Sequence, residues 1–99
     1  DVKLLVTEAT IWPNKPLTEG LKAIVSDPEV RLTIVINNLG INTVHYPKFE
    51  EEGDEVAEII IANSMFPAEV TRLTLGSLKK HQPSLLVTIT SMAWKSPPP

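Results

Sequence analysis

Two stretches of two-residue alternation constrain this chain more than any other feature. In Val30-Arg31-Leu32-Thr33-Ile34-Val35-Ile36-Asn37, the residues Val30, Leu32, Ile34 and Ile36 fall on one face and Arg31, Thr33 and Asn37 on the other, which is the period of a half-buried β-strand. Leu85-Leu86-Val87-Thr88-Ile89-Thr90-Ser91-Met92 repeats it, with Leu85, Val87 and Ile89 inward and Thr88 and Thr90 outward. Val2 to Trp12 and Val70 to Leu75, both rich in β-branched residues, read as a third and a fourth strand. Val56 to Ala62 carries three consecutive isoleucines and reads as a fifth, although the acidic residues over 50–58 also suit a helix N-terminus.

Turn chemistry separates these runs. Pro13-Asn14-Lys15-Pro16, Asn37-Asn38-Leu39-Gly40, Gly53, Pro67 and His81-Gln82-Pro83-Ser84 stand between them. Strands about 8–15 residues apart, joined by turns, predict an antiparallel sandwich, because parallel neighbours need a crossover of a dozen residues or more. Leu17, Leu21, Ile24 and Val25 recur at helical spacing, so one short helix near 17–26, stopped by Pro28, is admitted. The expectation is an all-β, immunoglobulin-like antiparallel β-sandwich of about seven strands. An α+β sandwich is the alternative if the segment around 50–63 is helical. The expected core is Leu4, Val6, Leu32, Ile34, Ile36, Ile60, Leu73, Leu75, Val87 and Ile89. Residues 1–95 form one domain, with 96–99 a Pro-rich tail or the start of a linker. A chain opening at Asp1 reads as a processed product or as a domain of something longer.

Composition removes several function classes. The 99 residues are 42% hydrophobic and 21% charged, with 9 Lys+Arg against 12 Asp+Glu. That is too apolar for an acidic disordered tail and lacks the cation excess of a nucleic-acid binder. No apolar run reaches the roughly 20 residues of a membrane span. The chain has no cysteine, hence no disulfide framework, thiolate nucleophile or Cys-based metal site.

The stretches "DVKLLVTEATIWPNKPLTEG", "VRLTIVINNLGINTVHYP" and "LTLGSLKKHQPSLLVTITSMAW" together resemble the immunoglobulin-like β-sandwich modules of cell-surface and secreted proteins, nearest to the CARDB-type adhesion domains. Asp1, Pro13, Pro16 and Gly20 carry the first part of the resemblance, Asn37, Asn38 and Gly40 the second, and Leu78, Val87 and Ile89 the third. The resemblance implies a sandwich fold and an extracellular or cell-surface setting.

Catalytic chemistry finds little to build on. His45 and His81 are the two histidines, no Gly-x-Ser-x-Gly elbow occurs, and neither Asp-Thr-Gly nor Asp-Ser-Gly is present. The acidic run Glu50-Glu51-Glu52-Gly53-Asp54-Glu55 has oxygen ligands for a cation but no EF-hand spacing, and reads as a solvated turn. Trp12, Tyr46 and Trp94 form a sugar-stacking platform if exposed and core if not. The segment Asn42 to Tyr46, stopped by Pro47, suits a sheet edge. It makes Val44, His45 and Tyr46, with the adjoining turn residues Asn38 and Gly40, the expected partner-binding surface. The expectation is therefore a non-enzymatic structural or interaction module, for adhesion or spacing, within a larger surface, secreted or virion protein. The alternative is a carbohydrate-binding module attached to an enzyme. The partner is a protein, a neighbouring domain or a carbohydrate, with no cofactor, metal, nucleic acid or membrane insertion.

Overall fold

The computed structural model describes residues 4–40 and 55–89. Helix α1 spans Lys15–Ser26. Strand β1 is Ile34–Asn37. A long helical segment follows, in which α2 (Glu55–Ile60) passes through one π-helical turn (Ile61–Met65) into α3 (Phe66–Lys80). Strand β2, Leu85–Thr88, closes the order.

This overturns the all-β sandwich, and with it the immunoglobulin-like architecture. Among the described residues there are two short strands, and they pair in parallel, Ile34 with Leu85 through Asn37 with Thr88. The expected strand at 56–62 is helical, and the one at 70–75 lies inside α3. Of the expected strand over Val2 to Trp12, residues 4–8 have no ladder partner and a turn follows at 9–10. The reason lies in a second periodicity. Ala62, Phe66, Thr74 and Leu78 are buried, with Val70 half-buried between them. That is an unbroken i, i+4 stripe, and a helix gives such a stripe one continuous contact where a strand would scatter it. Tertiary packing of that face outweighs the β-preference of Ile59, Ile60 and Ile61. The parallel ladder follows, since residues 38–84 supply the helix-bearing crossover that parallel neighbours require.

Local chemistry fixes α1. Asn14 is its N-cap, and its Oδ1 accepts from the Leu17 N–H at 2.8 Å, with Pro16 in the first turn. Asn14 is buried and fully engaged: Oδ1 also accepts from the Thr7 hydroxyl at 3.0 Å, and Nδ2 donates to the Glu8 carbonyl at 2.6 Å. One side chain thereby ties the extended segment 4–8 to the helix. Pro28 stops the helix at Asp27.

Helices α1 and α3 pack together, and α3 also packs on both strands. The core lies in this layer: Leu17, Ala62, Phe66, Leu78 and Val35 are buried, and Trp12 meets Phe66 edge to face at 6.2 Å. Each large side chain buried here contributes about 1.5–3 kcal/mol.

Among the described residues, the sheet is covered on one face alone. Val35 and Asn37 are buried toward α3, whereas Ile34 and Ile36 on the opposite face are 58% and 60% exposed. Leu85 and Ile89 on that face are likewise exposed. Most of the expected core is therefore surface: Leu4, Val6, Ile34, Ile36, Ile60, Leu75 and Ile89 are exposed, and Leu32, Leu73 and Val87 are half-buried.

Candidate functional site

Strand β1 ends in Asn37-Asn38-Leu39-Gly40, with two amide side chains in succession. Asn37 is built in: its carbonyl accepts from the Ile89 N–H at 2.8 Å, and its Nδ2 donates to the Thr71 hydroxyl of α3 at 3.3 Å. Asn38, Leu39 and Gly40 are exposed beyond it.

The π-helical turn brings a third amide to the same place. Pro67 has no N–H to donate to the carbonyl four residues back, and its ring would crowd that carbonyl in a regular α-helix. The chain widens there instead, with the Phe66 N–H reaching back five residues to the Ile61 carbonyl. Ala62, fully buried, pins the turn to the core. The next residue, Asn63, is exposed and stands against Gly40, where a Cβ would come within 3.9 Å of the Asn63 Oδ1. Thr88 of β2 is the ladder partner of Asn37 and is exposed beside it. Single π-turns within α-helices concentrate at functional sites, and open α/β sheets hold ligands outside the carboxyl ends of their strands. Asn63 lies in the π-turn, and Asn38, Gly40 and Thr88 lie at the carboxyl ends of the strands, joined to it where Gly40 meets Asn63.

Among the described residues, the groups named at this edge are neutral. The asparagine amides and the Thr88 hydroxyl are neutral hydrogen-bonding groups; Asn37 engages its Nδ2 with Thr71 and Asn63 already has an interaction within the chain. The described cations are engaged or placed elsewhere. Arg31 donates to the Gln82 carbonyl at 3.1 Å, where the strands begin, and Lys79 and Lys80 end the helix leading into β2. Arg72 pairs with Glu69 on α3, and Lys15 with Glu19 on α1. The edge suits hydroxyl, carboxamide or base groups better than phosphate.

Of the expected partner-binding residues, Asn38 and Gly40 lie at this edge, while Val44, His45 and Tyr46 lie outside the described residues. So do Tyr46 and Trp94 of the sugar platform and residues 50–54 of the acidic run. Trp12 is half-buried against Phe66 and lines a shallow groove of about 180 Å³ with Met65, Ala68, Glu69 and Arg72. Among the described residues no group of three His, Cys, Asp or Glu side chains could hold a metal ion, and no helix is long and apolar enough to cross a membrane. The sequence reading omitted Asn37, Asn63 and Thr71. The usable signal for Asn63 was a proline four residues later inside an i, i+4 apolar stripe.

Comparison of the chain with models of protein families, with characterised proteins and with solved structures gave no match.

Proposed function

We propose that this chain is the ligand-binding segment of a parallel α/β sheet that extends beyond its two strands, and that the ligand is a nucleotide-class molecule held by its uncharged sugar, amide or base groups. The observation that carries this reading is the π-helical turn that sets Asn63 against Gly40 at the carboxyl end of β1. Hydrogen bonds from fixed neutral amides suit ribose hydroxyls and base edges, and ligands of open α/β sheets occupy this end. The bare aliphatic face of the sheet supports the larger context, since parallel sheets are covered on both faces. The module within a larger protein expected from the sequence keeps its place in this reading. The adhesion or spacer role came with a sandwich and gives way to ligand binding.

Carbohydrate is the second reading, because sugar hydroxyls use the same amides. A titration of the ¹⁵N-labelled full chain with adenosine, and separately with glucose, decides between them. Adenosine should shift the Asn38, Gly40 and Asn63 resonances with Kd about 1 mM, a weak binding energy of about −4 kcal/mol. Asn63→Leu should abolish the shifts while leaving the circular dichroism spectrum unchanged. A response to glucose alone transfers the site to carbohydrate. No response to either, or one indifferent to Asn63→Leu, overturns the ligand reading.

A further inference from the structure

The two halves of the proposed site reach it by different routes. Asn38 and Gly40 follow the end of β1, while Asn63 rides on the π-helical turn. Among the described elements, β1 packs against the helical segment through α3 and not through that turn. The meeting of Gly40 with Asn63 therefore depends on where α3 sits along β1. Asn63 and Thr71 are eight residues apart in one helical run, about 12 Å along the axis. The three steps from Asn37 to Gly40 reach at most about 11 Å. The two lengths nearly match, so little slack remains, and a slip of one helical turn would carry Asn63 about 5.4 Å along the axis.

Apolar packing does little to prevent such a slip. Val35 is buried in this layer, but contacts of that kind are non-directional. A hydrogen bond is directional. The Asn37 side chain is buried, and its Nδ2 donates to the Thr71 hydroxyl at 3.3 Å across the interface. Its backbone carbonyl accepts from the Ile89 N–H at 2.8 Å. The strand end is thus anchored to β2 by its backbone and tied to the helix by its amide. A buried polar pair that is satisfied in one register and orphaned in the next specifies the first.

We infer that Thr71 is a positioning residue of the proposed site: through the Asn37 amide it sets the register of the helical segment on β1, and with it the spacing of Asn38 and Gly40 from Asn63. It acts through Asn37 rather than on a ligand. The inference rests on the ligand reading for its functional meaning, while the register itself is readable in the free chain.

The test compares Thr71→Val, Thr71→Ser and Thr74→Val in the full chain. Because the chain has no cysteine, a nitroxide on Leu39→Cys reports one position, and its broadening of the Asn63 amide resonance reads the spacing without ligand. That broadening should fall in Thr71→Val. It should be kept in Thr71→Ser, which retains the hydroxyl, and in Thr74→Val, since Thr74 bonds within its own helix. The adenosine Kd should follow it, rising about fivefold in Thr71→Val, the size one ordinary hydrogen bond supplies. Should Thr71→Val fail to fold, Asn37→Leu combined with Thr71→Val removes the stranded donor as well and should give the same result. Broadening that is unchanged in folded Thr71→Val, or lost equally in all three variants, overturns the inference. So does an adenosine Kd that stays at the wild-type value while the broadening falls. A wild type blind to adenosine ends the ligand reading alone, since broadening in the free chain decides the register without it.

Discussion

Gly20 shows how one missing carbon joins two parts of this molecule. A glycine inside a helix costs about 1 kcal/mol relative to alanine, yet a Cβ at this position would collide with the Leu5 side chain. The gain in helix propensity and the loss of the Leu5 contact therefore oppose each other. Gly20→Ala alone should change stability by less than about 1 kcal/mol, whereas in a Leu5→Ala background it should stabilise by about 1 kcal/mol. A four-variant urea series reads this directly, and purely additive effects would disprove the contact. Asn14 belongs to the same join, since it serves Thr7, Glu8 and Leu17 at once. Its caps were legible as turn residues in Pro13-Asn14-Lys15-Pro16, but nothing local announces that one amide also holds a segment six residues upstream.

Two threonines separate what holds α3 together from what holds it to the sheet. Thr74 is buried and its hydroxyl donates to the Val70 carbonyl of its own helix at 2.7 Å, a bond the helix does not need. Thr71 accepts from the buried Asn37 amide across the interface. Thr74→Val should therefore be neutral or stabilising by up to about 1 kcal/mol. Thr71→Val should cost about 1–3 kcal/mol, because it strands a buried donor. Equal costs at the two positions would refute this account. The contrast also explains what the sequence withheld about this element. Ile59-Ile60-Ile61 states a strand preference locally, and Val70 to Leu75 is rich enough in β-branched residues to pass for one. The helix appears when the register is followed from Ala62 through Phe66 and Val70 to Thr74 and Leu78, and two of those five residues are Ala and Thr, which a search for large apolar residues passes over. Reading 56–62 and 70–75 as strands leaves few connections long enough for a parallel crossover, and the antiparallel expectation follows from those assignments. Of the site, Asn38 and Gly40 were legible as turn residues. Asn63 required the helix first.

For the whole molecule, the exposed aliphatic face of the sheet is the governing feature. The circular dichroism spectrum should be dominated by helix, as the elements α1, α2 and α3 require. The ladder itself has a consequence for the order of events along the folding path. Ile34 and Leu85 are partners across 51 residues, so closing that loop forfeits chain entropy before a single rung rewards it. The helical crossover forms from near neighbours and draws the two strand sequences together as it docks. Until then both isoleucine-rich and leucine-rich segments are loose apolar ribbons, and on a ribosome β2 emerges last. The interval between synthesis of β1 and arrival of β2 is when this chain is most open to capture by a chaperone or by another nascent copy.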